Sequence, residues 1–384
     1  MTGKLILPPL PSLGELASAL FDQRPMPDDL STPWRLGGTL QTERPDNGTA
    51  FLFSRSAWAM QAMIRAATMR LGRAPIVWLP DYFCDDATIP MRKAGAQVQH
   101  YPICETLEPN WTVLAKMAEE HRPDIFFLVH YFGIPADGAR AREFCVAVEA
   151  HLIEDASHAL GPGREIGAFG DAIFYSPHKL LAIPEGSILL IRDSKSILAP
   201  EMAGGRPAPI TRWLGKRLLQ LLTPPSLLER RLRKQTGSFM TDATVGSRPE
   251  TPALSPRAKR MLARASADLP ECAMTRQANW RRIAASAASI SGWSAWTPPS
   301  DDWVPYRVIM LCQSPDVASA LFVRLLREGC PVESWPDLAP EVAAAPERYA
   351  VAHQLRRTLL FLPVHQTLDV DRLCHKLARC AAEL

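Results

Sequence analysis

The sequence lacks the features that mark membrane, metal-binding and nucleic-acid-binding proteins. No stretch approaches the roughly 18 consecutive apolar residues of a membrane-spanning helix. The eight cysteines form no CxxC pair and show no metal-ligand spacing, which is typical of reduced thiols in a cytosolic protein. The formal net charge of +3 is too small to predict nucleic acid or a membrane as the main partner. We therefore expect a cytoplasmic globular protein with no membrane span, no metal site and no nucleic-acid partner.

Length and proline distribution divide the chain into regions. The amino terminus has a short apolar run broken by prolines and no cleavage pattern, so we expect no signal peptide. The 35 prolines concentrate there and in 199–270, which indicates arms and linkers. A chain of 384 residues is long enough for two domains. The predicted regions are an amino-terminal arm (1–45), a large domain (46–195), a basic, Pro-rich helical connector (196–270) and a small carboxy-terminal domain (271–384).

Short apolar runs alternate with helical patterns through the large domain, which predicts an α/β fold with a mainly parallel sheet. The stretch 151–193 holds three such runs, HLIED, AIFYS and SILLIRD, joined by a Gly-rich turn and by Pro177-His178-Lys179. Because no long helix fits between these strands, we expect Asp155 and Lys179 to lie at neighbouring strand ends. Open α/β sheets bind their ligands at that edge.

An acid and a lysine held together at this edge have two interpretations. In the first, Asp155 and Lys179 form a structural ion pair, as charged residues commonly do. In the second they belong to a pyridoxal phosphate site, where a lysine amine forms a Schiff base with the aldehyde. The carboxylate then keeps the pyridinium nitrogen protonated, so that the ring acts as an electron sink. The spacing alone does not decide between them.

The residues around this pair resemble one enzyme family. The segment 154–161, EDASHALG, matches the strand end E-D-A-A-(H/Q)-A-x-G of the DegT/DnrJ/EryC1/StrS sugar aminotransferases, a branch of the fold type I pyridoxal phosphate enzymes. Their Schiff-base lysine stands seven residues before the first glycine of E-G-G, as Lys179 does before Gly186. The resemblance assigns Asp155 to the pyridine nitrogen, His158 to the phenolic oxygen side of the ring, and Lys179 to the Schiff base.

The resemblance also implies a fold and a reaction. The fold is a large α/β domain around a mostly parallel sheet of the seven-stranded type, with a small carboxy-terminal α/β domain, in a homodimer. The cofactor is pyridoxal 5'-phosphate. The reaction moves an amino group from an amino acid, typically L-glutamate, to a keto sugar that is commonly nucleotide-linked, in polysaccharide, glycolipid or secondary-metabolite synthesis. Lys179 and Asp155 are the catalytic residues in this assignment.

The cofactor phosphate is expected at the start of a helix. Apolar residues at helical spacing follow Ser56, which we predict as the N-cap, and an ordinary amphipathic helix would explain this pattern equally well. In the family, a small or hydroxyl residue and an alanine open a helix whose N–H groups hold the phosphate, which assigns Ser56 and Ala57 to that role. Ser176, three residues before Lys179, is assigned to the phosphate as well. His178 either contacts the phosphate as well or packs behind the residues that do.

Three positions depart from the family pattern. The aromatic residue that stacks on the pyridine ring falls on Cys84, and we predict that Phe83 takes this role, with core packing as the alternative. The G-x-N-x-R motif that reaches the partner subunit's phosphate is reduced to Gly-Ser-Arg at 246–248, so Arg248 is its candidate substitute. Ser187 replaces the second glycine of E-G-G.

Other functions stay open at this stage. The S-P-H-K spacing before the lysine is also that of other fold type I enzymes, which leaves a sugar dehydratase or a lyase, although the family's dehydratases replace the lysine with histidine. The departures also leave a non-catalytic scaffold with a regulatory or assembly role. Within the connector, 211–235 combines leucines with many arginines and lysines. It predicts either ordinary bridging helices or a basic amphipathic surface that contacts a membrane or a partner.

Overall fold

Two β-sheets organise the chain. The computed structural model describes residues 3–21, 29–34, 48–163, 165–193, 195–200, 205–234, 251–296 and 303–382. The larger sheet has the strand order β1-β7-β6-β5-β4-β2-β3, and only β7 runs antiparallel to its neighbours. The predicted mostly parallel sheet is therefore confirmed. Its strands are β1 (Thr49–Phe53), β2 (Ile76–Pro80), β3 (Gln97–Tyr101), β4 (Ile125–Val129), β5 (His151–Ala156), β6 (Ala172–Tyr175) and β7 (Ser187–Ile191).

Helices cover this sheet, as the alternating pattern predicts. All five residues of β4 are buried, which is typical of a parallel strand covered on both faces. The helices that precede or connect the strands are α1 (Leu13–Phe21), α2 (Ser56–Leu71), α3 (Asp85–Lys93), α4 (Trp111–Glu120) and α5 (Gly138–Val148).

The start of α2 corrects one prediction. The N-cap is Arg55, which has an extended backbone and makes no side-chain capping bond, and Ser56 is the first helical residue. The N–H groups of Trp58 and Ala59 donate to the Arg55 carbonyl, so helical hydrogen bonding begins there. The N–H groups of Ser56 and Ala57 belong to the first turn, where a helix has no internal acceptor for them. The start of α2 therefore still offers N–H groups to an anion, although no serine caps the helix.

The smaller sheet is antiparallel, with the order β10-β11-β9-β8. A second apolar core lies between it and helices of the same region, and includes Ile283, Leu325 and Leu373. The connector contributes α6 (Thr211–Leu222), α7 (Pro225–Arg233) and α8 (Pro256–Ala265). The elements that follow are α9 (Leu269–Ala287), β8 (Trp293–Ala295), β9 (Arg307–Cys312), α10 (Pro315–Glu328), β10 (Glu333–Ser334), α11 (Pro340–Ala343), α12 (Ala350–Thr358), β11 (Leu359–Pro363) and α13 (Val370–Ala382).

A buried glutamate fixes the turn after β5. Glu154 is fully buried, and its carboxylate accepts the Nε2–H of His130 at 2.8 Å. It also accepts the backbone N–H groups of Gly167 at 2.8 Å and Phe169 at 2.9 Å, and that of Gly170. Burial opposes its ionised form, yet these hydrogen bonds hold the pKa of Glu154 below its usual value. Glu154 thus holds the Gly-rich turn against β4 and β5.

We expect Glu154→Gln to lower the free energy of unfolding by about 3 kcal/mol, because the amide has one acceptor oxygen for several buried donors. Urea unfolding at neutral pH measures this loss. Glu119→Gln, an exposed change on α4, is the matched control and should cost almost nothing. An equally stable Glu154→Gln protein would contradict the role assigned to the carboxylate.

Asp171 makes stability depend on acid pH. Its carboxylate accepts the guanidinium N–H groups of Arg142 at 3.0 and 3.1 Å and the Leu152 N–H at 2.8 Å. Burial raises its pKa, but His151 and Arg142 outweigh this and lower the pKa of Asp171 to about 2. A depressed carboxyl pKa stabilises the fold above the unfolded value of about 3.9 and loses that contribution as the pH falls toward 2. Asp171→Asn should therefore flatten the acid limb of a stability-versus-pH curve by up to about 2 kcal/mol, whereas an unchanged limb would contradict the shift.

Within the described ranges, no helix is both long and apolar enough to cross a membrane.

Candidate active site

Asp155 and Lys179 meet at the carboxyl ends of neighbouring strands, as the three short runs predict. Asp155 pairs with Phe174 in the β5–β6 register, and Lys179 closes a 3₁₀ turn that follows β6. The Lys179 Nζ lies 3.2 Å from Nε2 of His158. The Asp155 carboxylate acts electrostatically on the same amine. The acid, the lysine and the histidine of the motif therefore form one buried cluster.

His158 is held in one orientation. Its Nδ1 accepts the Phe132 N–H at 3.3 Å, so the neutral ring carries its proton on Nε2, the atom that faces Lys179. The ring stacks on Tyr306 with centroids 4.4 Å apart and planes at 5°, and the edge of Trp335 packs against it. Burial, with the charges of Lys179 and Arg307 nearby, holds the pKa of His158 well below its usual range. The ring is thus a neutral donor beside the amine.

The lysine amine is poised to react as a free base. Burial lowers the pKa of Lys179 below its usual value, and the Arg307 guanidinium acts in the same direction. The negative charge of Asp155 opposes this shift. With the proton of His158 on Nε2, a neutral Lys179 amine would accept that hydrogen bond, and the lowered pKa favours the neutral form. A buried lysine whose pKa is lowered in this way is a better nucleophile and base than a solvated one.

The Asp155 carboxylate is held by hydrogen bonds from Ser157. Its Oδ1 accepts the Ser157 N–H at 2.8 Å, and the Ser157 side chain hydrogen-bonds the carboxylate as well. Burial raises the pKa of Asp155, while the Lys179 charge and the hydrogen bonds from Ser157 oppose the shift. A buried carboxylate at this strand end fits a cationic N–H group, which is what a pyridinium ring presents.

The start of α2 is tied to the lysine turn through the backbone. Gly186, whose φ of 152° favours glycine, donates its N–H to the Ser54 carbonyl at 3.0 Å. Its own carbonyl accepts the Nδ1–H of His178 at 2.8 Å. The Arg55 guanidinium lies near enough to contribute, after burial, to lowering the pKa of His178 well below its usual range. The free N–H groups of α2 therefore lie in the same region as His178 and a cation, which suits a phosphate.

The two residues beside Lys179 assigned to the phosphate differ in what they offer. Ser176 is fully buried and its hydroxyl donates to Ser157 Oγ at 3.1 Å, which links it to the Asp155 side of the site. With Nδ1–H bonded to the Gly186 carbonyl, the neutral His178 ring presents only an acceptor at Nε2. It would donate to a phosphate only after taking up a proton. Both assignments stay predictions.

In the loop after β2, Phe83 packs into the core, whereas Cys84 lies near the lysine amine. Phe83 is 4% exposed and packs edge-on against Phe127, with centroids 6.5 Å apart. Cys84 is the residue whose thiol interacts electrostatically with Lys179, although burial raises its pKa. Stacking of Phe83 on a bound ring stays a prediction. The structure adds Cys84 to the residues around the amine.

Residues at the smaller sheet complete the site, and sequence analysis gave them no role. Arg307, at the start of β9, is ion-paired through Nε with Glu333 and lies over the Tyr306 ring at 4.1 Å. Trp335, just after β10, stacks on Tyr82 with centroids 4.4 Å apart. The segment around Trp335 carries no sequence signal, because only tertiary packing brings it to His158.

A buried arginine links the lysine turn to the segment that precedes β9. Arg276 on α9 is fully buried and donates to the Leu180 carbonyl at 2.8 Å and to the Pro305 carbonyl at 3.1 Å. It therefore joins the residue after Lys179 to the segment that leads into Tyr306. Arg248, the candidate substitute for the partner-reaching arginine, lies outside the described residues. The segment after it is anchored here, because Ser54 Oγ donates to the Thr251 carbonyl at 2.6 Å.

A cleft of about 590 Å³ lies next to this cluster, and its lining includes Gly133, Ala159 and Trp303. Gly133 has a φ of 80°, and a Cβ there would lie 3.0 Å from the His158 carbonyl oxygen, so the position requires glycine. Asp155, His158 and Lys179 do not line the cleft. Among the described residues, no group of three His, Cys, Asp or Glu side chains is placed to hold a metal ion.

Comparisons with known proteins identify one matching family and one shared fold. Residues 93–200 match the DegT/DnrJ/EryC1/StrS aminotransferase family. No curated protein matches the chain in sequence. TlmJ, an aminotransferase from Streptoalloteichus hindustanus, superposes with a TM-score of 0.65 at 18% identity over 99% of both chains.

Two further solved structures extend the likeness. Helicobacter pylori PseC, an aminotransferase involved in the biosynthesis of pseudoaminic acid, superposes with a TM-score of 0.67 at 13% identity over 100% of both chains. Spr1654 from Streptococcus pneumoniae, a candidate sugar aminotransferase solved in its PLP form, gives 0.65 at 15% identity over 99% of both chains. At such identities the likeness establishes the fold, which confirms the predicted fold type I architecture.

The matched segment contains β5, β6 and β7 together with Asp155, His158 and Lys179. It is the segment whose motifs carried the resemblance, and the aminotransferase class predicted from those motifs is that of the matched family. Residues 93–200 of this chain therefore match the DegT/DnrJ/EryC1/StrS aminotransferase family in sequence, and the chain shares its fold with the three aminotransferases compared above.

Proposed function

We propose that this protein binds pyridoxal 5'-phosphate and transfers an amino group from an amino acid to the keto group of a sugar. The observation that carries the proposal is the buried cluster of Asp155, His158 and Lys179 at adjacent strand ends. A structural ion pair would not require a buried histidine held beside the amine by stacking and by the Phe132 N–H. The same retained cluster speaks against a non-catalytic scaffold.

The residues present fit the cofactor. Asp155 offers a buried carboxylate to the ring nitrogen, and His158 offers its Nε2–H to an oxygen on the ring. The N–H groups of Ser56 and Ala57, with Arg55 nearby, offer donors and positive charge to the phosphate. These groups complement a cationic N–H, an oxygen substituent and an anion, as pyridoxal phosphate presents them.

Each residue then has a defined task. Bound pyridoxal phosphate supplies a ring that withdraws electrons from the donor's α carbon. Asp155 would hold the proton on the ring nitrogen, and its own position is fixed by the Ser157 N–H. Lys179 Nζ would hold the cofactor covalently at its aldehyde carbon, with loss of water, and once displaced by the donor's amine would carry the proton taken from the donor's α carbon. Tyr306 and Trp335 pack around His158 and keep water from that side of the site.

The donor, the acceptor, the assembly and the location are finer assignments. L-Glutamate as donor and a nucleotide-linked keto-deoxy sugar as acceptor come from the family resemblance, as do a homodimer and a cytoplasmic location. The names of PseC and Spr1654 associate the shared fold with sugar amination. The product would serve polysaccharide, glycolipid or secondary-metabolite synthesis.

Incubation with pyridoxal phosphate, followed by borohydride reduction and peptide mass spectrometry, tests cofactor attachment and should place the pyridoxyl group on Lys179. Excess L-glutamate should then yield 2-oxoglutarate in an amount equal to the loaded enzyme. A panel of nucleotide-linked keto sugars tests the acceptor. Attachment without 2-oxoglutarate formation would reject glutamate as the donor, and absence of attachment would reject the proposed chemistry.

A further inference from the structure

The hairpin formed by α6 and α7 presents leucines to solvent. Leu222 is 67% exposed and Leu219 is 56% exposed, at the end of α6 next to the connecting prolines. Leu218 on α6 and Leu227 on α7 are exposed as well. Single exposed leucines are ordinary on protein surfaces, but four on one short hairpin form an apolar patch that calls for an explanation.

The charges around these leucines have one sign. Between residues 205 and 234 the only acidic residue is Glu229, and it is buried in ion pairs with Arg372 and Lys376. The exposed charged side chains of this segment are all basic: Arg206, Arg212, Lys216, Arg230, Arg231, Arg233 and Lys234. The whole chain has nearly balanced charge, with 43 basic and 40 acidic residues, so this surface is locally exceptional.

The hairpin is firmly attached by its other face. Lys4 Nζ donates to the carbonyls of Gln220 and Thr223 at 2.6 and 2.7 Å, and so caps the end of α6 with a cation. Leu214 and Leu228 point inward and are buried. The α6–α7 hairpin therefore has two apolar faces. The inner face packs against the protein, and the exposed leucines form the outer face.

The outer leucines and cations share one concave surface. A shallow groove is lined by Leu219, Leu222 and Leu227 together with Arg230, Arg231 and Lys234. The apolar side chains thus lie beside side chains that bind anionic headgroups. This combination is the pattern of helices that lie in the interface of a membrane with their leucines in the acyl boundary.

We propose that the α6–α7 hairpin binds the surface of an anionic phospholipid bilayer, with Leu219, Leu222 and Leu227 entering the lipid and the flanking cations contacting headgroup phosphates. Charge complementarity selects this partner, because a second copy of the same face would bring like charges together. Nucleic acid is disfavoured because the hairpin's one aromatic side chain, Trp213, is half-buried beneath Arg217 and offers no stacking surface.

Sedimentation of the full-length protein with vesicles of phosphatidylcholine, alone or mixed with phosphatidylglycerol, tests the proposal. Binding should require the anionic lipid and weaken at high salt. Replacing Arg230, Arg231 and Lys234 by Glu should lower the partition coefficient at least about a hundredfold, since each basic residue contributes roughly fivefold near such a surface. The charge-matched control replaces Lys93, Lys116 and Arg122, exposed elsewhere, by Glu.

A second variant separates the apolar contribution from charge. Replacing Leu219, Leu222 and Leu227 by Ser leaves the net charge unchanged and should reduce binding at high salt most strongly, with a thermal midpoint close to wild type. Absence of vesicle binding by the wild-type protein would overturn the proposal, as would equal binding by the hairpin and control variants. A change of oligomeric state in light scattering without vesicle binding would overturn it too, and would assign the face to contact between copies.

Discussion

Lys179→Ala should abolish amino transfer, with a fall in rate of at least about 10⁴-fold. The side chain combines covalent attachment of the cofactor with proton transfer at the donor's α carbon, and general acid–base catalysis alone contributes roughly 10²–10⁴. The amine is well suited to both tasks, because burial lowers the pKa of Lys179 and His158 holds it at 3.2 Å. Single-turnover formation of 2-oxoglutarate from L-glutamate measures the loss.

Lys195→Ala is the matched control for this change. Lys195 follows β7 and is exposed, away from the strand ends that hold the cluster. The control should bind cofactor and turn over as the wild type does. Borohydride reduction should label Lys179 in the wild type and in the control, and leave the Lys179→Ala protein unlabelled. A Lys179→Ala protein that still transaminated at a comparable rate would remove the basis of the proposed function.

Asp155→Ala should lower the rate of amino transfer by about 10²–10³-fold, the range found when one preorganised electrostatic partner is removed from an active site. The loss arises because no other carboxylate among the described residues replaces it at the end of β5 next to Lys179. Stopped-flow measurement of the glutamate half-reaction gives the effect. Asp316→Ala, an exposed change at the start of α10, is the control.

The same variant has a readout that does not depend on activity. The Asp155 charge raises the pKa of Lys179 against the larger effect of burial. Without that charge the pKa of Lys179 should fall, so labelling of the cofactor-free protein by an amine-selective reagent should reach its maximum at lower pH. An unchanged labelling profile would show that the two groups do not interact as the structure indicates. The pH profile of labelling also separates a local electrostatic effect of the substitution from a general loss of folding.

Local sequence was sufficient for the elements that carry the motif. The three apolar runs within 151–193 predicted β5, β6 and β7, and the short spacing placed Asp155 and Lys179 at neighbouring strand ends. Helical periodicity predicted α2, and the helices predicted within 211–235 are α6 and α7. These features depend on backbone hydrogen bonding and on burial patterns that repeat every few residues. They can therefore be predicted from each segment of sequence alone.

Backbone conformation and long-range packing decided what the sequence left open. Ser56 was predicted as the N-cap, yet the backbone at Arg55 makes that residue the cap, because the helix boundary depends on how β1 enters the turn.

The sequence by itself determined the acid, the histidine and the lysine and their order along one sheet edge. Only the tertiary structure decided their surroundings: Tyr306 against the His158 ring, Trp335 at its edge, and Arg307 near the amine. It also decided which leucines of the connector face outward. The physical reason is that strands and helices form from local patterns, whereas contacts between side chains distant in sequence depend on how those elements pack.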